Sequence, residues 1–125
     1  MEILEKWEKI MNVSESYKDY VVDQLQSLGP VFARKMFGGY GLFLDGVIFG
    51  VIANDEFYLK ADDSTRPKYL KMGMKPFNPF EEESHSMTYF EVPIVVLENK
   101  YELENWAGES LMISQNTAKK KKDRF

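Results

Sequence analysis

The chain has 125 residues, enough for one domain that buries roughly two-thirds of its unfolded surface, and its 44% hydrophobic and 29% charged residues predict a packed globule and not a disordered chain. It has no cysteine, which excludes disulfides, thiolate nucleophiles and cysteine-ligated zinc or iron–sulfur sites together. Sixteen Lys and Arg against twenty Asp and Glu give a formal charge of -4 and a pI near 5.1, against the broad basic surface of a non-specific nucleic-acid binder.

In chain order, "MEILEKWEKIMN" places Ile3, Leu4, Trp7, Ile10 and Met11 at the spacing of an amphipathic helix, able to dock on the body or on a partner. Ser14 or Ser16 is the expected N-cap of a second helix with Tyr17, Tyr20, Val21, Leu25 and Leu28 on one face, stopped by Gly29-Pro30. The period then changes from 3.6 to 2. Asp45-Gly46 and Asn54-Asp55 sit between alternating apolar runs and predict two hairpin turns with positive φ at both central positions. Three or four meandering antiparallel strands follow, starting near Ala33.

Asp62 or Asp63 can cap a short helix that runs to Lys71 and ends at Gly73, with Pro67 tolerated in its first turn. "KPFNPF" and "SMTYFEV" read as another strand pair joined by the acidic loop "EEESHS", and Pro76 and Pro79 push the first of the pair to an edge. Pro93 ends the sheet. A last helix then carries Leu103, Trp106, Ala107 and Leu111 on one face before a polar, lysine-rich end. The expected organisation is a helical extension over residues 1–13, one domain over 14–115 and a basic disordered tail over 116–125. The fold class is α+β: an antiparallel meander sheet with helices packed mainly on one face. The longest apolar run, Val47 to Ala53, is far short of a membrane span, and the charged N-terminus lacks a secretory apolar region. A cytoplasmic protein is expected.

The stretch "KMFGGYGLFLDG", Lys35 to Gly46, is where chemistry would be sought. Its glycines open a strand, whereas phosphate loops need glycines that open a helix. It partly overlays the RNA-stacking strand pattern at Gly39, Tyr40 and Gly41, but Leu42 and Asp45 stand where that pattern needs rings. The GXXG spelled by Gly38 to Gly41 lies between strands, while the KH loop joins helices. Glycine that lets a twisted strand accept close approach of another backbone or ring explains the whole stretch, with Phe37, Tyr40 and Phe43 flanking the bend. His85 is the single histidine and lies among Glu81, Glu82 and Glu83, so solvated charge accounts for it better than a metal site. Ser84 beside it shows no triad geometry. Asp45, Asp55, Asp62 and Asp63 occupy turn or cap positions. No catalytic set, metal site or cofactor site is expected. Lys119 to Lys122 can serve as a solvated end or as a nucleic-acid arm, which Arg34, Lys35 and Lys60 would extend if the strands align them.

The segment Arg34 to Asp62 resembles the N-terminal domain of the TfoX (Sxy) family of competence regulators. The likeness rests on Arg34, Met36, Phe37, Gly38, Gly39, Gly41, Leu42, Asp45, Gly46, Leu59 and Lys60, with "YFEVP" at Tyr89 to Pro93 and Trp106 further on. It covers about Tyr17 to Leu111. The resemblance implies an α+β domain of the bacterial or archaeal cytoplasm, linked to regulating genes for DNA uptake, with no catalytic residues. Full-length regulators of the family carry a second, helical domain, and this sequence ends at the lysines, so an interaction module is expected. The leading reading is a non-enzymatic regulatory domain whose partner is a protein of the transcription machinery or a regulator. The candidate interaction surface is Arg34, Lys35, Tyr40 and Lys60; Phe37, Gly38, Gly39, Gly41, Asp45 and Gly46 form the structural motif. A homodimer is expected as well. The alternatives are direct nucleic-acid binding and a small-molecule binder with a cleft beside the sheet.

Overall fold

The computed structural model describes residues 15–36, 38–77 and 88–123, with side chains described as far as Lys120. The amphipathic stretch at residues 1–12, the proposed cap Ser14, Phe37 and the acidic loop with His85 lie outside the described residues.

Helix α1, Glu15–Gln24, buries Val21 completely, and Leu25 just beyond it is equally buried. Tyr17 is half-buried, whereas Tyr20, expected on the same face, is 39% exposed. Ser16 is inside the helix and does not cap it. The amide of Leu25 is shared between the carbonyls of Val21 and Val22, and the chain tightens into a 3-10 turn, Gln26–Leu28, before Gly29-Pro30 redirects it. Gln24 is buried because its side-chain amide donates to the carbonyl of Leu97, 2.8 Å away and distant in sequence.

Strands β1, Phe32–Met36; β2, Gly39–Leu44; β3, Val47–Ala53; β4, Glu56–Lys60; and β5, Tyr89–Glu91 form one antiparallel sheet in the order β1-β2-β3-β4-β5. Spatial order follows sequence order, which is a meander. Asp45 and Gly46 have φ of 51° and 80°, and Asn54 and Asp55 have 53° and 56°, so both two-residue turns have the positive φ that matches strand twist. A register shift separates Leu42 from Phe43: Leu42 faces Gly50 and Phe43 faces Ile48, which leaves Phe49 as the extra, fully buried residue of a bulge.

Of the second expected strand pair, the described residues are 75–77 and 88–92. Tyr89–Glu91 pairs with β4, while Pro76 makes a single bridge to Phe90 on the outer side. A proline at this sheet edge leaves no amide unpaired. Asp62 caps the turn into helix α2, Arg66–Lys71: its Oδ1 accepts from the amides of Ser64 and Thr65, and Thr65 Oγ1 accepts from the Asp62 amide. Asp63, the other candidate, instead pairs with Arg66 at 2.5 Å.

Pro93 starts a one-turn helix, α3, Ile94–Leu97, which the sequence reading did not contain. Helix α4, Lys100–Asp123, is 24 residues long. It starts at Asn99, whose Oδ1 accepts from the amides of Tyr101 and Glu102. Within the segment 116–125 expected as a tail, the helix continues to Asp123 through the lysines. Lysine and alanine are good helix formers, and Ser114 is still buried, so the helix enters this segment already nucleated.

Helices lie over the face of the sheet that carries Leu42, Phe57, Leu59 and Phe90, with α4 against β3 and β4. Leu103, Trp106 and Ala107 of α4 are buried there, and Tyr69 of α2 meets Trp106 edge-on at 4.9 Å and Phe90 at 5.5 Å. Lys68 lies over the Trp106 ring at 4.3 Å and pairs with Glu109, tying α2 to α4.

Candidate protein-interaction surface

Cross-strand partners in an antiparallel sheet point to the same face, and successive residues alternate. Register therefore sorts the predicted site residues. Arg34 faces Gly41, which faces Val51, then Tyr58, then Glu91, a row that crosses all five strands. This row lies on the face opposite the helices. Phe32, Phe43 and Ile48 form the neighbouring row, with the Phe32 and Phe43 rings stacked 5.4 Å apart and Phe32 54% exposed.

Tyr40 belongs to the other face. It is paired with Ile52, is only 7% exposed, and has Lys18 over its ring at 5.6 Å. Lys35 pairs with Tyr40 but is itself exposed at the edge strand. Lys60 lies on β4, three strands from Arg34 and Lys35. The four candidate residues thus do not form one patch. Arg34 is exposed on the open face, and Tyr40 is core. Alternation in "YGLFL" places Tyr40 with Leu42 and Leu44, which is the signal that separates it from Arg34.

The glycines take structural roles. A Cβ on Gly39 would stand 2.1 Å from the carbonyl oxygen of Ile52, so the β3 backbone occupies the space a side chain would need. A Cβ on Gly41 would meet Met36 Sδ at 2.5 Å, Ile48 at 2.9 Å and Phe43 at 3.0 Å, so side chains of the open face close over this glycine. Gly38 has a φ of 77°.

The face opposite the helices carries charges of both signs, with Lys60 on it by alternation with Tyr58. Arg34 stands at the β1 side, and Glu91 and Glu56 stand at the far side. The Tyr58 hydroxyl donates to Glu56 Oε2 at 2.5 Å, and its ring contacts Phe77 at 4.9 Å. Burial raises the Glu91 pKa, the Glu56 carboxylate raises it further, and Lys75 opposes both. Burial and the nearby Asp55, Glu56 and Glu91 push the Tyr17 hydroxyl up to about 12.

A second surface was not read from the sequence. Ile94 and Val95 are 68% and 63% exposed, and Tyr101, at the start of α4, is 83% exposed. The four apolar residues of "IVVL" fill one helical turn, and Val96 and Leu97 take the buried side. Such a turn is too short to show a period. Asn99 followed by Glu102 was the cap signature that would have placed the next helix start.

An open cleft of about 250 Å³ lies where α4 leaves the sheet, lined by Phe43, Val47, Ile48, Lys60, Ser114 and Thr117 among others. The buried Ser114 hydroxyl has no hydrogen-bond partner. Among the described residues, no three His, Asp or Glu side chains converge as a metal site would require, and no helix is long and apolar enough to cross a membrane.

The model of the TfoX N-terminal domain family matches residues 23–113, well over half of the chain and the whole span from α1 into α4. The chain belongs to this family. The match includes the glycine stretch, both two-residue turns and Trp106. No curated protein matches the chain.

Proposed function

We propose that this TfoX N-terminal domain acts in the bacterial cytoplasm without catalysing a reaction, as a regulatory module that docks on a protein controlling transcription of genes for DNA uptake. The observation that carries the reading is the exposure of three apolar side chains at the corner where α3 leads into α4, Ile94, Val95 and Tyr101. Burying one such aliphatic side chain in a partner is worth roughly 1.5–3 kcal/mol, and these three side chains already lie outside the core. The family supports the link to competence.

The test is capture of transcription-related proteins on the immobilised chain, alongside Ile94→Asp and Val95→Asp variants. A specific transcription regulator retained by the natural sequence and lost by both variants is expected. Equal capture by natural and substituted chains would overturn the role of the corner, and recovery of no transcription-related protein would overturn the reading.

One observation favours direct nucleic-acid binding as a second reading. Lys60 lines the same cleft as Thr117 and Ala118, which directly precede the exposed Lys119 and Lys120, so basic groups from the sheet and from α4 share one end of the molecule. DNA retardation that strengthens as salt falls and is lost in Lys119→Glu/Lys120→Glu is its signature.

A further inference from the structure

We propose that the cleft between the start of β3 and the second half of α4 binds a small carboxylate with an apolar body. The ladder between β3 and β4 covers only Gly50 to Ala53, and β4 ends at Lys60, so Val47 to Phe49 have no partner on that side. Helix α4 passes this gap with Ser114 and Thr117, and about 250 Å³ stays open between helix and sheet. Phe43, Val47 and Ile48 give the cleft apolar walls, and Lys60 brings a cation to it. At roughly 30 Å³ for each water-sized group, the space suits about eight non-hydrogen atoms. That is a single ring or a short branched chain with one carboxylate, far smaller than a nucleotide.

The hydroxyls of α4 single out Ser114. Ser110 donates to the carbonyl of Trp106 and Thr117 to that of Ile113, each closing on the helix four residues back. Ser114 lies between them, is 4% exposed, and its hydroxyl has no hydrogen-bond partner. Such a group costs stability that alanine would not. A serine hydroxyl turns about one dihedral and donates as well as accepts, so a carboxylate seated in the cleft supplies the partner it lacks. Lys60 supplies the opposite charge. Its ammonium has three donors, so it serves an anion without giving up a contact within the chain. Thr117 spends its proton on Ile113 and presents lone pairs only, which places the anion with Lys60 and Ser114 and leaves the apolar body to Phe43, Val47 and Ile48. The inference shares Lys60 with the nucleic-acid reading and is independent of the docking corner at α3.

The experiment is a titration of the isotope-labelled full chain with benzoate, read from backbone amide shifts, with benzyl alcohol and acetate as comparison ligands and each variant first checked for a native circular-dichroism spectrum. Saturable shifts centred on Ile48, Lys60, Ser114 and Thr117 are expected, with a Kd of about 0.1–1 mM for a ligand of so few atoms. Benzyl alcohol lacks the charge and acetate lacks the apolar body, so each should bind at least about tenfold more weakly. Lys60→Met should bring benzoate down to the level of benzyl alcohol, whereas Lys60→Arg should keep most of the affinity. Ser114→Ala should weaken benzoate by about fivefold while making the chain itself more stable, a split that general damage to the fold does not produce. Absence of saturation at about 20 mM benzoate, or shifts that map away from the cleft, would overturn the proposal. Equal affinity for benzoate and benzyl alcohol, or benzoate binding indifferent to both Lys60→Met and Ser114→Ala, would overturn it equally.

Discussion

Gly39 and Gly41 stand two residues apart in one strand, yet their surroundings differ in kind. The space beside Gly39 holds a backbone oxygen, which cannot move without breaking the β2–β3 ladder, whereas the space beside Gly41 holds the ends of Met36 and Ile48 side chains. Gly39→Ala should therefore cost about 3 kcal/mol and Gly41→Ala about 1 kcal/mol, read from urea midpoints at constant m value. Equal costs would contradict the close approach. Ser114 offers the opposite case. Its buried hydroxyl has no partner, so Ser114→Ala should raise stability by about 1 kcal/mol, measured in the same titration. The sequence showed that the glycines bend or admit something. It could not show that one admits backbone and the other side chains, because that depends on which strand lies opposite.

Caps and turns belong to the scale of elements. Asn99→Ala should destabilise the fold by about 1 kcal/mol, since two amides of the first turn of α4 lose their acceptor. Asp62 also has a pH signature. The Ser64 hydroxyl and the amides of Thr65 and Ser64 hold its carboxyl below the usual range. Its stabilising contribution is therefore present above the unfolded value, about 3.9, and is lost as pH falls through the lower folded value. Asp62→Ala should flatten that part of the acid-unfolding profile. Removing residues 116–125 should lower the helical circular-dichroism signal by about two turns' worth, where a disordered tail would leave it unchanged. Both hairpin turns were legible because positive φ at two adjacent positions leaves few residue choices. Helix α3 was not, because four consecutive apolar residues carry no period.

Across the whole molecule, the tyrosines record burial on both faces of the sheet, since Tyr69 lies under the helices and Tyr58, on the opposite face, is only 9% exposed. Tyr69 is almost fully buried, and burial raises its pKa along with those of Tyr58 and Tyr17. Tyr58 is raised further by its hydrogen bond to Glu56. Raised folded values mean full stability below the unfolded value near 10 and progressive loss as pH climbs toward the folded values, about 12 for Tyr17. The share of phenolate absorbance that belongs to Tyr17, Tyr58 and Tyr69 should therefore appear, in an alkaline titration, together with loss of the native circular-dichroism signal. Ionisation of most tyrosines near pH 10 with the fold intact would contradict that burial.

The sequence by itself determined the α+β class, the meander, both two-residue turns and the family. Each depends on local φ preference, periodicity or residue order, which neighbours along the chain encode. Only the tertiary structure decided that Tyr40 is core while Arg34 is open, that α4 continues through the lysines, and that cation and carboxylate end one row across five strands. Those facts depend on register and on which face the helices cover, and both are set by packing between residues far apart in the chain.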